Sequence, residues 1–305
     1  MKSIENIIAA TDLSEASINA IDRAVMIAAF FKAKLQLIHV QDPSVIESLN
    51  RLISAYPGSD VASIEQIDNQ RIIELESHLA ERHLKTFQMP RVRKISGPVV
   101  KTLLSEADAQ IADLIVVGAQ GESRMPYSPL GSISSRLLRK SEHYPVLLVK
   151  EAPTRNYQRI IIGVDFSPVS MSLVDMAKRL APKAELILLH AFDLPYEVKL
   201  SVAGLHKDDI NQVISDEQAY RRELLMNFVQ VSALDGKGVK SLVVHSAPAR
   251  GICNAAKEFS CDLVVVGKHG SSMIEEFFIG SVTKHLLNEL DQDILVITDS
   301  HLPSQ

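Results

Sequence analysis

The chain has 305 residues, 46% of them hydrophobic and 23% charged, with a net charge of −5 and no tryptophan. That length suits two domains of about 150 residues each, and the composition is that of a soluble globular protein. A pI near 6.1 without any long Lys/Arg cluster leaves no footprint for nucleic acid, and no apolar run approaches the roughly 18 residues of a membrane span.

Strand and helix signals alternate along the whole chain. IENIIAA (4–10) is a near-continuous apolar run, and a helix is expected to follow from Ser14, placed as its N-cap. KLQLIHV (34–40) is the second strand, then comes a polar helical stretch over 60–88, then RVRKIS (91–96) and a helix opening at Pro98. DLIVVG (113–118), a helix from Ser132 and YPVLLVK (144–150) complete the first half. After KEAPTRNYQ (150–158) the series restarts: RIIIGV, a helix from Ser167 with Pro168 at its first position, ELILLHA, a polar helix over 208–234, KSLVVHS, a helix opening at Pro248, DLVVVG, a helix from Ser281, and DILVIT. Strands apolar on both faces, separated by helices, imply an α/β fold with a doubly wound parallel sheet in each half.

The halves repeat each other. IIAATDLSEAS matches IIGVDFSPVS, AKLQLIHVQDP matches AELILLHAFDLP, and ADLIVVGAQG matches CDLVVVGKHG. The offsets are 153 residues from Asp12 to Asp165, 151 from His39 to His190 and 149 from Gly118 to Gly267. A period near 150 residues is a duplicated domain and not a solenoid. The expected domains are residues 1–152 and 156–305.

Each fourth strand ends in Gly-x2-Gly-x9-Gly-Ser, at 118/121/131/132 and again at 267/270/280/281. A lone pair of glycines there would mean little; the same spacing in both repeats is a strong signal. Glycine lets the chain turn and lets a ligand approach bare backbone, and a Gly-Ser at a helix start offers free N–H groups and a hydroxyl to phosphate. The pattern is neither a Walker A loop nor a dinucleotide GxGxxG.

With ATDLS, VDFSP and the IHV and LHA strands, the glycine loops resemble the universal stress protein family, and two such blocks in one chain resemble its tandem type. The resemblance spans roughly residues 4–150 and 157–299. It implies two Rossmann-like domains of the adenine nucleotide alpha hydrolase kind, related by pseudo-two-fold symmetry and joined through their last strands, with a further homodimer as an open question. It also implies an adenine nucleotide ligand, ATP or AMP with or without Mg²⁺. Carried over, Asp165 contacts the nucleoside and Ala191 offers backbone to the adenine edge. Val266, Gly267, His269 and Gly270 wrap ribose and phosphates, while Gly280, Ser281 and Val282 hold the phosphate chain. The matching first-half positions are Asp12, Val40, Val117, Gly118, Gln120, Gly121, Gly131, Ser132 and Ile133. The first loop has Gln120 in place of His269 and carries Pro126 and Pro129, which remove donors and stiffen it. The second half is therefore expected to be the better site.

Function follows as expectation: a cytoplasmic stress or signalling protein for which the nucleotide is a regulatory ligand, with an unidentified protein partner. A second reading is enzymatic, at most weak ATP hydrolysis, because the sequence names no convincing base; neither an SGGxDS-like loop nor a HIGH/KMSKS pair supports adenylate transfer. A third is a pure interaction module. His39 and His190, inside strands, are read as buried structural residues. Cys253 and Cys261 lack CxxC spacing and read as reduced thiols. His78 and His83 lack a third ligand, so no metal site is expected. The apolar run in MKSIENIIAATDLS is too short for a signal peptide.

Overall fold

The computed structural model describes residues 3–54, 64–83, 90–121, 130–194, 202–204, 206–232, 234, 238–269 and 279–298. The chain divides into two compact units, Met1–Asn156 and Tyr157–Gln305. In the first unit the elements are β1 (Asn6–Thr11), α1 (Glu15–Phe31), β2 (Lys34–Gln41), α2 (Pro43–Ser54), α3 (Ile64–His83), β3 (Val92–Ser96), α4 (Val99–Gln110), β4 (Leu114–Gly118), α5 (Ser132–Lys140) and β5 (Val146–Val149). The second has β6 (Arg159–Gly163), α6 (Pro168–Leu180), β7 (Glu185–Phe192), α7 (Lys207–Val231), β8 (Val239–His245), α8 (Pro248–Glu258), β9 (Leu263–Gly267), α9 (Ser281–Glu289) and β10 (Asp293–Ile297).

Within the first unit the strand order is β3-β2-β1-β4-β5, and within the second it is β8-β7-β6-β9-β10. The pairings are parallel, with Ile7 against Leu114 and Ile160 against Leu263 at the centre of each sheet. The chain reverses its direction of winding between β1 and β4, and again between β6 and β9. A doubly wound sheet opens its ligand crevice beyond the carboxyl ends of such strands. Each centre is dry: Leu114, Ile115 and Val116 are fully buried, as are Leu263, Val264 and Val265. Each such side chain contributes roughly 1.5–3 kcal/mol of burial.

A repeated aspartate fixes the register of the central strands. Asp113 Oδ2 accepts from the Glu5 and Asn6 amides at 2.8 and 3.0 Å. Its counterpart Asp262 accepts from the Gln158 and Arg159 amides at 2.8 and 3.1 Å. Each carboxylate ties the start of the fourth strand of its unit to the start of the first.

The helices expected here are present, and one more joins them. Ser167 does stand at the N-cap of α6, but its hydroxyl makes no cap bond and donates to Asp165 instead. Residues 43–54, given no element by the sequence signals, form α2, started by Asp42, whose carboxylate accepts from the amide and hydroxyl of Ser44. The helix expected over 60–88 is α3, with 55–63 and 84–89 outside the described residues. Among the described residues no helix is long and apolar enough to cross a membrane.

Candidate functional site

Both units build the same turn after their first strand. Leu13 and Phe166 take left-handed backbone conformations, with φ of 64° and 61°, which cost a non-glycine residue about 1–3 kcal/mol and cluster at functional sites. The turn aims the preceding aspartate at the following serine. Asp12 Oδ1 accepts from the Ser14 amide at 3.1 Å and its hydroxyl at 2.5 Å. Asp165 Oδ1 accepts from the Ser167 amide at 3.0 Å, the Ser167 hydroxyl at 2.5 Å and the Ser170 hydroxyl at 2.9 Å.

The third bond comes from a single substitution between repeats. In the first unit Thr11 shares its hydroxyl with Ser17 at 2.8 Å. Val164 stands at the matching position and has no hydroxyl, so Ser170 turns to Asp165 instead.

The fourth strands explain their glycines. A Cβ on Gly118 would lie 2.9 Å from the Ala16 carbonyl and 3.0 Å from that of Gln120; one on Gly267 would lie 2.9 Å from the His269 carbonyl. In both loops the backbone curls onto the glycine, leaving no room for a side chain. Gly131 then donates to the Ala119 carbonyl at 2.7 Å and Gly280 to that of Lys268 at 2.9 Å. These glycines are the N-caps of α5 and α9, so Ser132 and Ser281 are first in their helices and exposed. The first N–H groups of a helix have no helical partner, a donor set suited to phosphate.

In the second unit these pieces enclose a cavity of about 260 Å³. Asp165, Ala191, Val266, Gly267, His269, Gly280, Ser281 and Val282 all line it. Gly270, the ninth expected residue, lies outside the described residues. Gly163, Ser167, Val169, Leu173, Leu189, Pro248, Ile252 and Thr283 also line the cavity and were not anticipated. Thr283 had a legible signal. A hydroxyl two residues after the Gly-Ser serine occurs in both repeats, and Ser134 and Thr283 each donate to the strand-end glycine carbonyl at 2.7 Å.

The first unit brings Asp12, Gly118, Gly121 and Gly131 together. A Cβ on Gly121 would sit 2.4 Å from Asp12 Oδ2, and one on Gly131 would sit 3.2 Å from the Gly121 amide. Val117 is buried, Val40, Gln120 and Ile133 half-buried, and Asp12 exposed. The cavities described in this unit have other linings. One of about 480 Å³ opens among Ser14, Arg71, His78 and Gly121. Another, of about 670 Å³, lies between α2 and the ends of β2 and β3. Pro126 and Pro129 lie outside the described residues.

The sequence model for "Universal stress protein family" matches residues 3–150 and 156–298. The chain belongs to the universal stress protein family. It is 28% identical over 195 residues to the universal stress protein Rv2005c of Mycobacterium tuberculosis, an alignment covering 62% of this chain and 63% of that one. The chain thus spans less than two thirds of that relative's length. To the universal stress protein Mb2019 of Mycobacterium bovis it is 25% identical over 317 residues, covering 95% and 94%. A universal stress protein crystal structure from Archaeoglobus fulgidus superposes with a TM-score of 0.65 at 17% identity, covering 97% of both chains. That likeness shows the shared fold.

Both strand histidines are buried, as expected. His39 and His190 are 7% and 6% exposed, and their Nδ1 atoms lie 2.9 and 2.8 Å from the carbonyls of Thr11 and Val164. Their other nitrogens meet opposite charges. His39 Nε2 lies 3.5 Å from the Asp68 carboxylate, and His190 Nε2 lies 3.0 Å from an Arg221 guanidinium nitrogen. Burial pushes the His190 pKa below its ordinary value and the Arg221 charge pushes the same way, against the Val164 carbonyl and the Asp165 carboxylate.

Proposed function

We propose that the second unit binds an adenine nucleotide, ATP or AMP with or without Mg²⁺, and that this nucleotide is a regulatory ligand in a cytoplasmic stress-tolerance or signalling role. The carrying observation is convergence: eight residues chosen from the repeat and the family resemblance line one cavity. Its volume of about 260 Å³ is just below the roughly 300–1,000 Å³ range of small-ligand pockets. Leu173, Leu189, Ile252 and Val266 give it apolar walls for a base. The amides at the start of α9 and the Ser281 hydroxyl supply donors for phosphate, and His269 adds a ring at the same mouth. In the first unit Gln120 stands where the second has His269, and Pro126 and Pro129 fall in the loop, which favours one binding site per chain over two.

Mass spectrometry of nucleotide released on denaturing the purified protein, followed by isothermal titration with ATP and AMP, tests this reading. One site per chain is expected. Gly270→Val should remove most of the binding, because a β-branched side chain in the glycine loop would compete with phosphate for space. Gly121→Val should cost less affinity. Equal losses would mean two equivalent sites, and no co-purified nucleotide with no heat at millimolar ligand would sink the proposal.

A further inference from the structure

Resting on the reading of the second-unit cleft as a nucleotide site, we propose that Arg221 and His190 are its positioning residues and that the site is competent only while His190 is neutral. Neither side chain lines the cavity, but His190 touches two of its walls. It directly precedes Ala191 in β7, and it is bonded to Val164, the residue before Asp165. Its ring also stacks on Phe166, centroids 4.4 Å apart and tilted by 33°. Phe166 is the left-handed residue of the turn that presents Asp165. The imidazole therefore braces the turn carrying Asp165 and the strand carrying Ala191 at once.

Its partners dictate its protonation. A carbonyl can only accept, so Nδ1 carries the hydrogen toward Val164; a guanidinium can only donate, so Nε2 presents its lone pair to Arg221. Protonation at Nε2 would set an N–H against the guanidinium and break the contact. Arg221 cannot easily withdraw. It is held by Glu217 at 2.6 Å on the same helix and lies over the Phe192 ring, 4.8 Å from its centroid.

The charged and titratable groups facing His190 are Arg221 and Glu217 from α7 and Asp165 from the β6–α6 turn. Val243 is its register partner on β8, and His245, two residues on, stacks on Phe192. Burial and Arg221 both favour the uncharged ring. Acidification should thus release nucleotide from the second unit through loss of the brace. The first unit has no such device, since His39 meets the Asp68 carboxylate where His190 meets a guanidinium.

The test titrates the full-length protein with adenosine, which has no phosphate to titrate, from neutral pH down to about 5, across the range in which histidine changes charge. Affinity should hold near neutrality and fall at least tenfold as His190 takes its proton. Arg221→Gln removes a positive charge, so the fall should move to higher pH. His190→Asn keeps a donor for the Val164 carbonyl but loses the Phe166 stack and cannot titrate; it should bind more weakly at neutral pH, and that weaker affinity should no longer fall on acidification. Wild-type affinity independent of pH, an Arg221→Gln midpoint that stays or moves down, or an acid loss persisting in His190→Asn would each overturn the proposal.

Should Arg221→Gln fail to fold, NMR titration of the His190 ring in the wild-type chain decides. By reciprocity of linkage, adenosine must lower its midpoint, and an unchanged or raised midpoint overturns the inference. No binding of adenosine, AMP or ATP at any pH would remove the nucleotide reading itself and this inference with it. Binding that ignores pH would remove this inference alone.

Discussion

The β1–α1 turn of the first unit and the β6–α6 turn of the second have nearly the same backbone, yet their aspartates live differently. Asp12 is exposed, with two bonds from Ser14, and the Gly121 backbone packs onto it. Asp165 is half-buried, gathers Ser170 as well, and lines a cavity. Thr11 against Val164 redirects one serine, and Ala10 against Gly163 adds one methyl at the end of the strand. A Cβ on Gly163 would come within 3.0 Å of the Ile252 side chain, another cavity wall. Duplication preserved the scaffold, and small side-chain changes beside it separated the two sites.

The cysteines offer the most forceful way to break that comparison. Both Cys253 and Cys261 are buried thiols of the second unit, and the first unit has no cysteine. Burial pushes the Cys261 thiol up to about 12, so the folded protein should resist alkylation. Labelling then reports opening of the second unit alone. AMP at a hundredfold excess over its Kd should slow that labelling about 100-fold, equivalent to ~2.7 kcal/mol of added stability. Labelling indifferent to AMP, in a protein that still binds it calorimetrically, would move the site to the first unit.

A second contrast concerns helices and not ligands. Asp22 on α1 is 1% exposed and pairs with Arg82 of α3, with His78 3.9 Å away. Its repeat counterpart on α6, Asp175, is exposed. Asp22→Ala leaves the Arg82 guanidinium without this acceptor and should cost about 2 kcal/mol. Asp175→Ala should stay within about 0.5 kcal/mol, as solvent-facing substitutions usually do. Urea midpoints of the two variants measure this, and equal losses would show that α1 and α6 are anchored alike.

Much of this was legible in residue order, because the informative features came twice. The matched offsets of Asp12/Asp165 and Gly118/Gly267 exposed both the duplication and the strand-end loops. Buried strands such as LVVVG are continuous apolar runs, which no helix of that length needs. What stayed hidden depended on contacts across the fold. Nothing local says that Ser170 reaches back to Asp165, that Arg221 meets His190 from a helix 31 residues on, or that Gly121 closes on Asp12. Helix α2 was missed for a different reason: none of its residues is buried, so its apolar positions lack the core that normally makes a periodic stripe decisive.

The smallest expected effect is the most specific one. The His190 pKa is lowered from its ordinary 6.5 by burial first, with Arg221 acting in the same direction. Above 6.5 both folded and unfolded chains carry this ring neutral, and it adds no pH dependence. As pH falls below 6.5 the unfolded chain takes up the proton while the folded chain still refuses it, so stability declines until the lowered folded value is passed. Carboxylates titrate at lower pH and would blur the profile of the wild type alone. The difference between wild type and His190→Asn cancels them, since only His190 is changed. The wild-type urea midpoint should therefore drop relative to His190→Asn as pH falls from 7 to about 5. A wild type that gained stability on acidification, relative to the variant, would mean that His190 is charged in the folded protein. That result would place the Asp165 carboxylate, and not the Arg221 guanidinium, as the stronger influence on the ring.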